Sequence, residues 1–182
     1  MITIIYAHPY SAHSRIGKAL LSSVVDFPHV HIHNLYEKYP DFHIDIKKEQ
    51  QQLLKSNLII FQNPMHWYHI PALMSLWLEK VFTYGWSHGT VQKALEGKKF
   101  LWVVSTRHKE DFFHTHPEGG RYSIDQLSAS LRLTAELCGM QWIEPFVIYN
   151  SNQMSEDEVF LTAEKYRDIL TRETVLNTGA KA

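Results

Sequence analysis

The sequence predicts an α/β fold: a five-stranded parallel sheet of strand order 2-1-3-4-5 with helices on both faces. Three observations lead there. Five short apolar runs alternate with about five stretches of helical periodicity along the 182 residues, the βαβ rhythm of a sheet covered on two sides. Right-handed crossovers leave few topologies for that rhythm, and 2-1-3-4-5 is the natural one. At 45% hydrophobic and 20% charged, the composition is that of a globular chain able to bury a full core. One domain is expected over residues 1–172, with a frayed tail at 173–182.

The elements follow in order. Residues 2–7 form a β-branched first strand, and a polar loop runs from His8 to Ser14. Ser14 can cap a helix that places Ile16, Ala19, Leu20 and Val24 on one face. Val30 to Leu35 alternates as a half-exposed strand, Tyr39-Pro40-Asp41-Phe42 is a loop, and the polar stretch from about Asp45 to Lys55 is a surface helix. Leu58-Ile59-Ile60-Phe61 is a buried strand, followed by an aromatic loop from Gln62 to Ile70. Pro71 suits a helix start; Leu73, Leu76, Trp77, Val81 and Tyr84 share a face, and Gly85 is placed to end the helix. A turn at Gly97 introduces the strand Phe100 to Ser105, and residues 107–122 form a loop. Ser123 with Gln126 has the form of a capping box for a helix stopping at Gly139. Phe146 to Tyr149 is the last strand. Ser155 with Glu158 caps a final helix whose Val159, Ala163, Tyr166 and Leu170 share a face.

Composition narrows function. A formal charge of −1 provides no electrostatic reason to expect a nucleic-acid partner. Cys138, the single cysteine, rules out a disulfide framework and points to a reducing compartment, and the residue reads as a small buried apolar one. The opening Met-Ile-Thr-Ile-Ile-Tyr lacks a basic segment and meets His8 and Pro9, as a first strand does and a signal peptide does not. No run approaches the roughly 20 apolar residues of a membrane span. A cytoplasmic protein is expected.

In a sheet of this order, ligands bind at the switch point beside strands 1 and 3. The loops there are residues 8–14, 62–70 and 105–121. The first brings Ser11, His13 and Ser14 to a helix N-terminus, where unpaired N–H groups favour an anion, with Arg15 at hand; simple capping is the alternative reading. No phosphate-binding Gly-x-x-x-x-Gly-Lys-Ser/Thr or dinucleotide Gly-x-Gly-x-x-Gly pattern occurs. The second loop, Asn63-Pro64-Met65-His66-Trp67-Tyr68, offers amides and flat side chains to a planar heteroaromatic ring; for Trp67 and Tyr68 the alternative is core packing. Phosphate and planar ring together mean FMN. The 12 histidines include the pairs His31/His33 and His114/His116, but strand alternation with polar residues outward explains the first, and no zinc spacing supports a metal.

The opening Tyr6-Ala7-His8-Pro9, the stretches Leu35-Tyr36, Tyr39-Pro40-Asp41-Phe42 and Ile44-Asp45-Ile46, and residues 61–89 with Pro-Met-His-Trp-Tyr resemble the flavodoxin-like quinone reductases. Within these the chain looks most like the ancillary subunits of glutathione-regulated potassium-efflux systems, over residues 1–172. The resemblance implies an FMN-dependent NAD(P)H:quinone oxidoreductase, homodimeric, that docks on a membrane potassium/proton antiporter at the inner face of the cell membrane and activates it. It places the flavin against His8, against Ser14, Arg15, Ile16 and Gly17, against Met65, His66, Trp67 and Tyr68, and against Ser105, Thr106, Arg107 and His108. NAD(P)H would reduce the flavin and a quinone reoxidise it, the cofactor supplying the hydride chemistry, with amides of residues 65–68 stabilising the reduced ring and His108 as the proton-donating, catalytic candidate.

Three departures stand out. Relatives carry Thr-Thr-Gly-Gly where this chain has Ser105-Thr106-Arg107-His108, which adds bulk and charge. Gly17 replaces an asparagine, and a glycine-rich segment shrinks to Gly89-Thr90-Val91-Gln92. A regulatory subunit that keeps the fold without redox chemistry is therefore the rival reading. Flavodoxin-style electron carriage suits the near-neutral charge less well.

Overall fold

Alternation along the central strands sorts the core into two layers. In β1 (Ile2–Tyr6), β3 (Leu58–Pro64) and β4 (Lys99–Ser105), Ile2, Ile4, Leu58, Ile60, Leu101 and Val103 face one side. Ile5, Ile59, Phe61, Phe100, Trp102 and Val104 face the other. Both sets are buried, as the near-continuous apolar runs of parallel strands require. The first layer is closed by α1 (Arg15–Val24) and α7 (Glu156–Gly179), through Ile16, Leu20, Val24, Val159, Ala163, Tyr166 and Leu170. The second is closed by α3 (Ile46–Leu54), α4 (Ala72–Val81) and α6 (Ala129–Leu137), with Leu53, Leu73, Met74, Trp77, Val81, Leu131 and Ala135 pointing inward.

The computed structural model describes residues 1–90, 93–114 and 122–179. With β2 (Val30–Asn34) and β5 (Gln141–Ile148) at the edges, its strands are all parallel in the order β2-β1-β3-β4-β5. That is the predicted order, with helices on both faces. Both predicted capping boxes form. Ser123 Oγ accepts from the Gln126 N–H at 3.2 Å and Gln126 Oε1 from the Ser123 N–H at 2.8 Å; Ser155 and Glu158 repeat the pattern at 3.2 and 2.6 Å. Among the described residues, no helix is long and apolar enough to cross a membrane.

Several boundaries differ from expectation, each for a local reason. β3 continues through Gln62, Asn63 and Pro64 because these pair with Val103, Val104 and Ser105 of β4. The aromatic loop therefore begins at Met65. α4 ends at Val81, before Gly85: Gln50 Nε2 of α3 donates to the Val81 carbonyl at 2.9 Å and to Thr83 Oγ1 at 3.2 Å, and Tyr84 is left exposed outside the helix. β5 starts at Gln141, since a register shift at Glu144-Pro145 lets the edge strand absorb a proline. The helix after Ser123 is two pieces, α5 (Ile124–Leu127) and α6, broken at Ser128. A short α2 (Leu35–Lys38) follows β2 directly. α7 spans Glu156–Gly179, and Lys99 meets Glu173 on it at 2.7 Å.

The polar helix α3 is not purely a surface element. Glu49 is 1% exposed and receives Lys38 Nζ at 2.8 Å, Tyr39 Oη at 2.5 Å and Trp77 Nε1 at 2.9 Å. His33, expected to point outward from β2, is buried against it. Four apolar-set elements thus meet around one carboxylate that hydropathy alone places in water. Val91, Gln92 and His116 lie outside the described residues.

Candidate functional site

The C-terminal ends of β1, β3 and β4 open onto a cleft of about 850 Å³, within the usual range for ligand pockets. Its walls come from the three predicted loops: His8, Ser14, Arg15 and Ile16; Met65, His66 and Trp67; Ser105 and Arg107. A fourth segment, Ser151 and Asn152 between β5 and α7, completes it, with Tyr10, His13 and Pro64. Gly17 lines a narrow recess at the cleft floor with Tyr6, Ser14 and Gln62. Tyr68, Thr106 and His108 stand back from the cleft walls.

The first loop tightens into a 3-10 turn at Ser11–His13 and delivers Ser14 to the N-cap of α1. The expected cap does not form: the Ser14 side chain makes no capping hydrogen bond, so the first-turn N–H groups of α1 keep no side-chain acceptor. An oxygen-rich anion is the group such an end accepts. Arg15 is committed elsewhere. Its guanidinium donates to the Met154 carbonyl and pairs with Glu156 at 3.1 Å, tying α1 to the start of α7. His8 Nδ1 accepts from the Tyr10 N–H at 3.1 Å, which leaves Nε2 to carry the proton of the neutral ring. Burial, then the nearby His66, His13 and Lys18, lower its pKa, so the ring is neutral at pH 7.

The second loop is a two-residue hairpin. His66 and His69 exchange N–H···O=C bonds of 2.9 Å each, and the central Trp67 and Tyr68 have φ of 49° and 63°. Two positive φ values define the type I′ geometry that normally selects Asn-Gly. Bulky aromatic residues there are strained by about 1–2 kcal/mol each. Sequence reading missed this because nothing about Trp-Tyr announces a left-handed turn. The hairpin is anchored where the Met65 N–H meets the Ser105 carbonyl at 2.8 Å, and Trp67 stands 94% exposed at the cleft. It is not core. Burial and the Arg107 charge lower the pKa of His66.

The third loop is stapled to the fourth segment. Thr106 is buried; its N–H donates to the Ile148 carbonyl at 2.8 Å, its carbonyl accepts from Ser151 at 2.9 Å, and its Oγ1 accepts from the His108 N–H at 3.2 Å. Thr106 is a structural tie. His108 stacks on Phe112 with ring centres 3.8 Å apart and lies nearly parallel to Tyr68 at 6.1 Å. The His108 ring is therefore committed to an aromatic cluster, and Arg107 is the residue of this loop that faces the cleft.

Beneath the cleft, polar side chains are satisfied. Gln62 bridges the Gly17 carbonyl at 3.2 Å and Tyr166 Oη at 3.0 Å, and Asn63 Oδ1 accepts from Trp102 Nε1 at 3.0 Å. At the cleft itself, Tyr6 Oη is buried without a hydrogen-bond partner. An uncapped helix end, an unsatisfied hydroxyl and an exposed indole around a space of this size fit a phosphorylated planar ring. Of the lining residues not singled out for the site in the sequence, Tyr6 and Tyr10 lie beside or within the first loop, whereas Ser151 and Asn152 carry no motif and are brought here only by the sheet order.

Residues 1–170 match the Flavodoxin_2 family, whose description is a flavodoxin-like fold. The chain belongs to that family. It is 40% identical, over 98% of its own length and all of the relative's, to the glutathione-regulated potassium-efflux system ancillary protein KefF of Salmonella typhimurium. The flavodoxin-like chain also superposes on general stress protein 14 of Treponema denticola, solved in complex with FMN, with a TM-score of 0.89 at 29% identity, covering 94% of this chain and 98% of that one. An NADPH-quinone reductase from P. pentosaceus superposes with a TM-score of 0.85 at 26% identity, covering 93% and 96%. The fold is thus that of quinone reductases, and the sequence is homologous to the potassium-efflux ancillary proteins.

Proposed function

We propose that this protein is an FMN-dependent NAD(P)H:quinone oxidoreductase that also serves as the ancillary subunit of a potassium/proton antiporter. The observation that carries the proposal is one cleft, of about 850 Å³, faced by the uncapped N-terminus of α1 and by the strained Trp67-Tyr68 turn. The KefF relationship and the FMN-bound neighbour support it. Bound there, FMN would accept a hydride from NAD(P)H and pass two electrons to a quinone.

The chain's own residues hold, orient and polarise. First-turn N–H groups of α1 and the Ser14 hydroxyl receive the phosphate. Trp67 supplies a flat apolar face, and the Met65-to-Tyr68 backbone is held rigid by its hairpin bonds and by Ser105. Rigid, pre-aimed dipoles are the form of electrostatic stabilisation that needs no reorganisation. His8 presents its Nε2 proton, and Arg107 adds a positive charge favouring an electron-rich ligand. His108, stacked on Phe112, acts by fixing Tyr68 and the loop; at the cleft wall the neutral His8 and His66 can donate a hydrogen bond to a substrate oxygen, with the proton itself coming from solvent.

Titrating purified protein with FMN, adding NADPH under nitrogen and then a quinone tests the assignment. Micromolar binding, bleaching by NADPH and recovery with quinone are expected. Binding without bleaching would sink the enzyme and favour a regulatory subunit, the reading that Arg107 and His108 in place of glycines support. The homodimer is proposed on the exposure of Tyr10 and Trp67, at 68% and 94% beside the cleft, a pair of aromatic surfaces suited to an interface; sedimentation velocity reads it. The antiporter partner and a place at the inner membrane face rest on the relatives' names, and co-purification with the antiporter tests both.

A further inference from the structure

Tyr6 ends β1 with its side chain 2% exposed and its hydroxyl without a hydrogen-bond partner. Buried hydroxyls are rarely left so, and each case asks for an explanation. Among the described residues the other such atoms belong to His33 and Asn34 on edge strand β2, to Trp142 on edge strand β5, and to Arg132, which lies over the Trp142 ring. Tyr6 is at the end of an interior strand, in the recess at the cleft floor.

Gly17 explains how the hydroxyl comes to be there. A Cβ at this position would stand 2.8 Å from Tyr6 Oη and 2.3 Å from Ser14 Oγ. Both are closer than a real Cβ approaches, so with a side chain at 17 the Ser14 and Tyr6 side chains would have to shift; the glycine lets the two hydroxyls converge on the first turn of α1 where they stand. Its backbone is helical, with no positive φ to demand glycine, and glycine inside a helix costs stability. Space is the remaining reason for it. Ser14, 4% exposed, does not cap the helix, although capping is what a serine at this position ordinarily does. Burial raises the Tyr6 pKa and the nearby Ser14 hydroxyl partly offsets this, through an approach whose geometry falls short of a hydrogen bond, so the phenol stays protonated and is a donor.

We propose that Tyr6, admitted by the missing Cβ of Gly17, donates its hydroxyl hydrogen bond to a phosphomonoester oxygen at the N-terminus of α1, and so makes the cleft select phosphorylated over unphosphorylated flavin. This rests on the FMN assignment above. It also removes the difficulty that Gly17 raises in the sequence: a side-chain donor is lost from α1 and one from β1 takes its place.

The test measures dissociation constants for FMN and for riboflavin, by flavin fluorescence quenching, with the wild type, Tyr6→Phe and Gly17→Ala, together with the melting temperature of each flavin-free protein. A lost hydrogen bond to a charged acceptor predicts FMN binding about 10-fold or more weaker in Tyr6→Phe, with riboflavin affinity unchanged. Gly17→Ala, by pushing both hydroxyls aside, is expected to show the same selective loss. Flavin-free Tyr6→Phe should melt no lower than wild type, because the hydroxyl it removes is unpaired. Equal weakening of FMN and riboflavin, an FMN constant within twofold of wild type, or a Tyr6→Phe protein melting several degrees lower would each overturn the proposal while leaving the FMN assignment standing. Wild type that binds neither flavin would overturn the assignment and this inference together.

Discussion

Replacing His33 with glutamine and following stability against pH probes how the edge strand β2 is covered. His33 is buried, its side chain 3% exposed. Its Nε2 lies 3.2 Å from Glu49 Oε2 without good hydrogen-bond geometry, and its Nδ1 is 3.4 Å from Lys38 Nζ. Burial dominates and lowers its pKa from 6.5 to about 4; the Glu49 charge opposes this, and Lys38 adds to it. The unfolded chain thus takes up a proton near pH 6.5 that the folded one refuses until about pH 4. Stability is therefore full above pH 6.5 and falls as pH drops toward 4. Linkage over that interval gives a loss of about 2 kcal/mol by pH 5 and about 3 kcal/mol by pH 4. The Glu49 carboxyl is pushed up by burial but held below its ordinary value by Lys38, Tyr39, His33 and Trp77, so its own acid loss comes lower still. His8, His31 and His66 are also depressed and act in the same direction, which is why the difference between two proteins is needed. Urea unfolding of wild type and His33→Gln at pH 7.5 and pH 5 reads it. The wild-type midpoint should fall by about 1 M more than the variant's, for a slope near 2 kcal/mol/M. Parallel losses in the two proteins would refute the account of His33.

Three further outcomes follow from other contacts. Glu49→Gln removes the charge that Lys38 is paired with and disturbs the Tyr39 and Trp77 bonds; a loss of roughly 3 kcal/mol is expected in urea unfolding at pH 7. Trp67→Asn puts a left-handed-tolerant residue at φ 49° and should raise thermal stability by about 1 kcal/mol, or roughly 2–4 °C, while weakening FMN binding through loss of the indole face. Tyr166→Phe leaves Gln62 Oε1 without its 3.0 Å donor across the β3–α7 contact and should cost about 1–2 kcal/mol, read by melting temperature.

What was legible in the sequence was what periodicity and capping chemistry encode. The strand order, the two-sided core and the Ser123 and Ser155 boxes all follow from local pattern. Boundaries failed where a distant partner decides them. Gln50 ends α4 from another helix, and β4 draws Gln62 to Pro64 into β3. Glu49 and His33 were placed in water because each is polar on its own; only the fold sets one against the other. The cleft shows the same division. The three loops were identifiable from the sheet order, and most of the named residues line the space. His108 was displaced from it by a stack with Phe112 that four residues of separation do not announce.

The distribution of satisfied and unsatisfied groups is itself an argument about the site. Directly under the cleft, Gln62 is paired with the Gly17 carbonyl and Tyr166, and Asn63 separately with Trp102. One layer above, Tyr6 lacks a partner, Ser14 declines to cap, and two aromatic residues occupy a turn suited to Asn-Gly. A sequence able to satisfy the first set could have satisfied the second with ordinary substitutions: phenylalanine at 6, a capping rotamer at 14, Asn-Gly at 67–68. Strain and unpaired groups that persist at a functional surface are sustained by the surrounding structure and repaid when something binds. Here the unpaired donors converge on a helix N-terminus and the strained turn presents a flat ring, so one ligand with a phosphate and an aromatic plane answers all of them. Separate explanations would need three coincidences within one cleft.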